Sequence, residues 1–259
     1  MKRTRPHRIK RKKPIFKRPV FWLVFFSLLL IITATYFLVF FGKIQIKEVN
    51  IYGNEKVPTE ELKELVSEKI KQKFLFLDSQ SIFLVNLARI KESILGQYPD
   101  VDSVEMKRIL PSTLIVDVKE REPLAIFCNK TECFFIDKKG VAFEKIAGTV
   151  DGFSIVRQFE EKEIILGEEV VKKETMESIS KILENFQEKL EIGVEEFNIS
   201  SLTRLNVKTD ENWQVYFDIN SDIDLQITKL DLLLEKEISQ SDREDLEYID
   251  LRFKRVYYK

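Results

Sequence analysis

The hydrophobic pattern of the chain begins with one long uncharged run, which is followed by shorter segments with strand or helix periodicity. The run extends from Val20 to Phe41, 22 residues, and a helix of this length is about 33 Å long. Because the hydrocarbon core of a bilayer is about 30 Å thick, the run predicts a transmembrane helix. A retained anchor is favoured over a cleaved signal peptide, whose apolar region is shorter and ends in a small-residue cleavage motif.

The segment after this run predicts a compact α+β module. Residues 44–52 alternate apolar and polar positions and predict a strand, and Pro58 opens a helix. Ser81 is predicted to cap a second helix, and strands follow at 101–109 and 113–119. The order strand-helix-helix-strand-strand places the helices on one face of a small sheet. The apolar faces of the two helices are predicted at Leu62, Leu65, Val66 and Ile70, and at Phe83, Leu87, Ile90 and Ile94.

The remainder of the chain predicts a second module, a mostly antiparallel β domain with two packed helices. The helices are predicted at 175–190 and, from a capping-box pattern at Ser221 and Asp224, at 221–238. Strand patterns lie at 124–128, 133–137, 141–145, 195–199, 203–208, 213–219, 248–253 and 255–258. The predicted organisation is a basic tail (1–19), a transmembrane helix (20–42), a first domain (43–121) and a C-terminal β domain (122–259).

The charge of the chain is unevenly divided, and the division predicts its orientation in the membrane. Residues 1–18 carry ten Lys or Arg and no acid, whereas the remainder carries 32 basic and 43 acidic residues. The positive-inside rule places the basic tail in the cytoplasm and sends residues 43–259 across the membrane. The position of the tail beside a membrane span favours contact with anionic lipid over binding to nucleic acid.

The exported part offers few residues for catalysis. The single histidine, His7, lies in the basic tail, so no Ser-His-Asp triad, Cys-His pair or histidine metal ligand is expected outside. Cys128 and Cys133 flank a predicted hairpin loop, and facing residues of such a pair lie within disulfide range. The sequence does not decide between a disulfide and two free, partly buried thiols. No enzymatic activity, cofactor or metal is predicted.

Several carboxylates attract a catalytic interpretation, but each has a simpler structural one. Asp100 with Asp102 and Glu120 with Glu122 are pairs two residues apart on strands, with basic residues interleaved near the second pair. Solvent exposure is the expected state of both pairs. Asp137, three residues before Gly140, is expected in a hairpin turn.

An ordered series of motifs between Pro99 and Phe143 resembles the bacterial cell-division family FtsQ, also called DivIB. The opening Val49-x-Ile51-x-Gly53-Asn54 is similar to the POTRA module of that family, and Tyr248–Phe253 is similar to its closing strand. Residues 144–172 lack the Leu-Pro and Gly segment that the resemblance implies, which leaves the detail of the middle strands open but not the family resemblance. The series is Pro99-x-Val101, Leu110-Pro111-Ser112-Thr113-Leu114, Glu120-Arg121-Glu122-Pro123-Leu124-Ala125 and Ile136-Asp137-x-x-Gly140-x-x-Phe143.

The resemblance implies a non-enzymatic scaffold of the division machinery at the septum. Such a protein binds the single-pass proteins FtsB and FtsL outside the cytoplasmic membrane and helps to regulate septal wall synthesis, while its POTRA-like domain contacts other division proteins. An edge strand at the C-terminus would receive the partner by β-augmentation. The alternative function is a membrane-anchored extracytoplasmic ligand sensor or a POTRA-type interaction protein unrelated to division. The predicted partner-binding residues are Tyr248, Ile249, Leu251, Arg252, Phe253, Val256, Tyr257 and Tyr258.

Overall fold

A computed structural model of the chain describes residues 18–74, 77–148, 150–159 and 163–259. By their internal contacts these residues form two compact units. The first contains the described residues up to 52 together with 60–90 and 106–116, and the second contains 53–59, 91–105 and 117–259. This division follows contacts and does not test the predicted domain boundaries, which stay predictions.

The long apolar run forms a single helix, α1, from Pro19 to Phe40. Pro19 suits the first helical position, where a backbone N–H has no partner within the helix. Val39 is the one buried side chain of α1, and a helix that is apolar on all sides is typical of a membrane span. Within the described residues, α1 is the one helix long and apolar enough to cross a membrane.

The elements after α1 follow the predicted order, with a short hairpin added between the two helices. The sheet order is β1-β5-β4, so the last strand inserts between the first strand and its own hairpin partner. The side chains predicted to form the apolar face of the first helix are buried. The bounds are β1 Glu48–Tyr52, α2 Thr59–Ile70, β2 Gln72–Phe74, β3 Leu77–Ser79, α3 Leu87–Gln97, β4 Val101–Ile109 and β5 Thr113–Glu120.

The start of α3 differs from the prediction. Ser81 does not cap the helix, since its side chain donates to the Leu38 carbonyl of α1, at 2.7 Å. The side chain of Asn86 takes the capping role and accepts from the Arg89 N–H, at 3.2 Å. Phe83 therefore lies in a turn before the helix, where its side chain is 50% exposed.

The second unit contains a nine-stranded sheet. Its order is β14-β13-β12-β11-β10-β9-β6-β7-β8. Five neighbouring pairs are antiparallel and three, β9 with β10, β6 with β9, and β12 with β13, are parallel. The bounds are β6 Ala125–Cys128, β7 Cys133–Ile136, β8 Ala142–Ile146, β9 Ile155–Gln158, β10 Val194–Ile199, β11 Arg204–Thr209, β12 Gln214–Asp218, β13 Tyr248–Asp250 and β14 Tyr257–Tyr258.

Two helices, α4 (Lys173–Asn185, continued by a π-helical turn to Leu190) and α5 (Ile223–Lys236), belong to the core of this sheet. Asp222 caps α5 by accepting from the Leu225 N–H, at 3.0 Å. The predicted capping box is wrong in detail, because the Ser221 hydroxyl donates to Asp218 instead. The largest buried side chains of this core are Trp213, Phe186, Phe197 and Phe217.

Candidate partner-binding edge

The C-terminal segment forms the last two strands of the large sheet, and only the second of them is an edge. β13 ends at Asp250, three residues earlier than predicted, and it pairs with β12 on one side and with β14 on the other. The strand predicted over 248–253 is therefore shorter than expected and is not itself an edge. The free edge belongs to β14, Tyr257–Tyr258.

The pairing of β14 with β13 determines which backbone groups this edge presents. Lys259 and Tyr248 exchange both backbone hydrogen bonds, at 3.1 and 3.2 Å. Hydrogen-bonded and non-hydrogen-bonded pairs alternate along an antiparallel ladder, and the pair of Ile249 with Tyr258 comes next. The N–H and C=O of Tyr258 consequently point away from β13, toward the open side of the sheet.

The predicted contact side chains divide into an accessible group and a buried group. Phe253, Tyr257 and Tyr258 are 53%, 55% and 50% exposed, respectively. Ile249 and Leu251 are almost completely buried in the core, so neither side chain is available to a partner. Their inclusion as contact residues is corrected for this reason. The remaining predicted residues, Tyr248, Arg252 and Val256, are partly exposed.

Next to this edge, two arginines and two tyrosines form a layer on the face of the sheet opposite the core. The rings of Tyr216 and Tyr248 stack at 5.5 Å between centroids. The guanidinium of Arg204 lies 4.4 Å above the Tyr216 ring and that of Arg252 lies 5.6 Å from it, within the range of cation–π attraction. Arg204 and Tyr216 are not among the residues predicted from the sequence, although the alternation of polar and apolar residues in β12 puts Tyr216 on the face opposite Val215.

An ion pair fixes the position of Arg252. Its Nε and Nη2 donate to the two carboxylate oxygens of Asp250, at 2.9 and 2.6 Å. Burial acts to raise the pKa of Asp250, but the hydrogen bonds from Arg252 outweigh burial and hold that pKa below its ordinary value. The same hydrogen bond raises the pKa of Arg252. The guanidinium is thus held as a cation beside the exposed ring of Phe253, at 5.4 Å.

The two cysteines face each other at the end of a hairpin. The register of β6 and β7 pairs Cys128 with Cys133, and the structure joins them by a disulfide with a Cα–Cα distance of 4.2 Å. In the intervening loop the Asn129 side chain accepts from the N–H groups of Thr131 and Glu132, at 2.9 and 2.8 Å.

A second cluster of charged residues lies within the second unit and is formed by Arg121, Asp102 and Asp137. These side chains are less exposed than the sequence pattern predicts. The Arg121 side chain is 10% exposed and pairs with Asp137 and Asp102, which are 5% and 14% exposed. Asp137 does lie in the predicted turn, where it accepts from the N–H groups of Lys139 and Val141. Arg121, Asp102 and Asp137 thus form a largely buried network, whereas Lys119 and Glu122 are exposed as predicted. A sequence pattern gives no sign of which carboxylates meet which cation. Among the described residues no group of three or more His, Cys, Asp or Glu is arranged to hold a metal.

An apolar helix of membrane-spanning length precedes a small three-stranded module and a large sheet whose edge at β14 is open. This arrangement fits the class of membrane-anchored interaction proteins. Two family models match the chain, "POTRA domain, FtsQ-type" over residues 44–121 and "Cell division protein FtsQ/DivIB, C-terminal" over residues 125–252. The chain belongs to the FtsQ/DivIB family of cell-division proteins.

Curated relatives agree with this assignment. A cell division protein DivIB of Clostridium tetani is 26% identical over 206 residues, which cover 76% of this chain and 75% of the relative. A DivIB of Clostridium botulinum is 31% identical over 53% of this chain and 49% of its own length. A cell division protein FtsQ of Geotalea daltonii is 32% identical over 36% of this chain and 33% of its own length.

Proposed function

We propose that this chain is a non-enzymatic scaffold of the division machinery, held in the cytoplasmic membrane at the septum by α1. In this proposal the basic tail lies in the cytoplasm and residues 43–259 lie outside. Family membership supports a role in division, and the charge asymmetry around α1 supports the orientation. The POTRA-type domain would contact further division proteins, and the C-terminal domain would bind FtsB- and FtsL-like single-pass partners.

The observation that carries the partner-binding part is the open side of β14. An incoming extended segment would accept from the Tyr258 N–H and donate to its C=O, extending the sheet by one strand. The exposed rings of Phe253, Tyr257 and Tyr258 would give such a partner its aromatic anchors. Loss of one anchor of this type costs at least about 2 kcal/mol of binding. Arg204 adds positive charge near the anchors, which suits a partner with a carboxylate, whereas the charge of Arg252 is balanced by Asp250.

A point substitution separates the edge from the fold better than a truncation. Removal of the chain from Tyr248 onward would also delete Ile249 and Leu251, which are core residues, so lost binding would not be distinguished from lost folding. In Tyr258→Pro the ring removes an N–H that points away from β13, a position where an edge strand tolerates proline. Tyr258→Phe keeps both the N–H and the aromatic ring and is the matched control.

The test is co-purification of full-length protein from membranes of dividing cells, with mass spectrometry of the accompanying proteins. Small single-pass proteins should accompany the native chain and Tyr258→Phe, and should be depleted with Tyr258→Pro. If they accompany all three versions, β14 is not the binding edge. If a small ligand or a wall fragment accompanies the chain instead, the sensor function is the better explanation.

The bridge between Cys128 and Cys133 is part of this proposal, because the proposed exterior is oxidising. Peptide mapping without reductant would recover the two cysteines in one linked peptide. Recovery of both as free thiols would contradict the bridge and leave the scaffold function unaffected.

A further inference from the structure

Within the first unit, the folded part follows the C-terminal end of α1 after a short segment, residues 41–47. The last carbonyl groups of a helix have no partner within the helix, and here two of them bind to residues of the folded unit. The Val39 carbonyl accepts from the Ser79 hydroxyl and from the Gln45 side-chain amide, both at 2.7 Å. The Leu38 carbonyl accepts from the Ser81 hydroxyl, also at 2.7 Å. The end of α1 is therefore fixed to the unit.

Backbone hydrogen bonds bring two turns of the same unit next to this junction. The Ile82 N–H donates to the Ile44 carbonyl at 3.0 Å, and the Lys47 N–H donates to the Ser112 carbonyl at 2.9 Å. Residues 82–84 form the first turn and residues 110–112 form the second. Five residues lie between Phe41 and Lys47, and the six Cα–Cα steps from one to the other span at most about 20 Å. Both turns thus lie within this distance of the helix end.

The two turns are connected to each other as well as to the helix. The Arg108 guanidinium, at the end of β4, donates to the Val85 carbonyl, at 2.8 Å. This hydrogen bond joins the hairpin between β4 and β5 to the segment that follows the first turn. We call the two connected turns the juxtamembrane surface and define it by the exposed apolar side chains at or next to them, Phe83, Ile109 and Leu110.

The side chains of the juxtamembrane surface are apolar where turns are normally polar. Phe83, Ile109 and Leu110 are 50%, 47% and 61% exposed. Gly, Pro, Asn, Asp and Ser dominate turns for reasons of backbone geometry and hydration, and exposed apolar groups that are close together mark interaction sites. A Phe or Leu that is half exposed to water contributes less to fold stability than a buried one does.

The charges around this surface are mixed, with an excess of cations. Four exposed basic residues and two exposed carboxylates lie on the segments that form the junction and the turns. An apolar tip surrounded by Lys and Arg is the pattern of groups that enter the boundary between lipid headgroups and acyl chains. The basic residues are Lys43, Lys47, Lys107 and Arg108, and the acidic ones are Glu48 and Asp78.

We propose that the juxtamembrane surface docks on the outer leaflet of the membrane, with Phe83, Ile109 and Leu110 inserted at the headgroup boundary. The proposal rests on the membrane anchoring in the proposed function. Lipid is the favoured occupant because α1 is fixed to this unit, which keeps the bilayer beside the two turns. Docking would hold the first unit at a defined tilt on the membrane, in addition to its tether.

The test measures lipid contact in the full-length chain reconstituted into vesicles of phosphatidylethanolamine and phosphatidylglycerol. Single cysteines replace Phe83 or Leu110 and carry an environment-sensitive fluorophore, attached without reductant. The unsubstituted chain, labelled in parallel, corrects for any reaction of Cys128 or Cys133. Quenching is then measured with lipids that carry a nitroxide near the headgroup or deep in the acyl chain.

Two control positions make the result specific. Tyr52→Cys lies in the same unit at the far end of β1, with a similar exposure of 54%, and reports on non-specific quenching. Ser27→Cys lies within α1 and reports on whether the helix spans. We expect shallow nitroxides to quench the labels at 83 and 110 severalfold more than the label at 52, and deep nitroxides to quench the label at 27.

The outcomes distinguish failure of the docking proposal from failure of the membrane anchoring. If the label at 27 is quenched but those at 83 and 110 match the label at 52, the docking proposal is overturned while the anchor stands. If the label at 27 is not quenched, the anchoring itself fails, and docking fails with it. A further variant, Leu110→Asp, should reduce quenching of the label at 83, because a carboxylate opposes insertion of the shared surface. Unchanged quenching at 83 would show that the two turns do not enter the membrane together.

Discussion

The guanidinium of Arg121 and the carboxylate of Asp137 form a buried ion pair across 16 residues of sequence. Arg121 also pairs with a second carboxylate, since its Nη1 donates to Asp102 Oδ1 at 3.3 Å. The Arg121 Nε also donates to the Pro99 carbonyl, at 2.9 Å. Within the second unit this one side chain therefore connects the start of β4 to the turn after β7.

Replacement of Arg121 by Met should strongly destabilise the protein. The substitution leaves the Asp137 carboxylate buried without its cation, and breaking a buried pair in this way costs about 3–5 kcal/mol. The free energy of unfolding, measured by urea titration of the full chain in detergent, tests this. Lys145→Met is the matched control, because its pair with Glu132 is exposed and should contribute less than about 1 kcal/mol. Equal losses in the two variants would contradict a special role for the buried network.

The pair of Asp250 and Arg252 should make stability depend on acid. The pKa of Asp250 is below its ordinary value of 3.8 in the folded protein. Its contribution is therefore complete above the unfolded pKa and is lost as pH falls through the folded pKa. The difference in unfolding free energy between the native chain and Asp250→Asn should be constant near neutral pH and shrink below about pH 4. If the difference in unfolding free energy instead grew as the pH fell, the pKa of Asp250 would be raised and not lowered in the folded protein.

Gly140 should not tolerate a side chain. Its φ is +78°, and an added Cβ would lie 1.9 Å from the Val171 carbonyl oxygen, so the backbone of one segment would have to move. Gly148 has a similar φ of +85° but nothing within 4 Å of the added atom. Gly148→Ala should thus cost only the left-handed strain of about 1–2 kcal/mol. Gly140→Ala should lower the melting temperature clearly more than this control does, and similar shifts would refute the clash.

At the start of α5, the cap in the structure is Asp222, whereas the sequence pattern predicted Ser221. Asp222→Ala removes the acceptor for the Leu225 N–H and should cost about 1 kcal/mol of unfolding free energy. Ser221→Ala removes an exposed hydrogen bond to Asp218 and should have a smaller effect. Denaturant midpoints of the two variants decide the matter. A larger loss with Ser221→Ala would favour the capping box that the sequence suggested.

The sequence predicted those features that depend on neighbouring residues. α1 was predicted within one residue at its start and two at its end, because a continuous apolar run has no competing interpretation. α2 was also predicted with its buried face, because four apolar residues recur at helical spacing. The family resemblance was confirmed, since its motifs follow each other along the chain in a fixed order.

The candidate edge was predicted only in part. Phe253, Tyr257 and Tyr258 are exposed as a contact surface requires, whereas Ile249 and Leu251 are buried. Period-two alternation shows that a strand has two faces but does not say whether both of its edges are paired. The strand β14 covers β13 in the structure, and that pairing depends on the reversal of the chain after Asp250.

The amino-acid sequence by itself determined the membrane helix, the two-module order and the family, because each is written in local period, composition or motif order. Only the tertiary structure decided the place of β9, the exposure of Phe83 and the burial of Arg121. β9 has four residues and is defined by parallel neighbours on both sides, which its own pattern does not identify. Burial of a charge likewise depends on partners distant in sequence, since a lone cation in the core would be too costly without them.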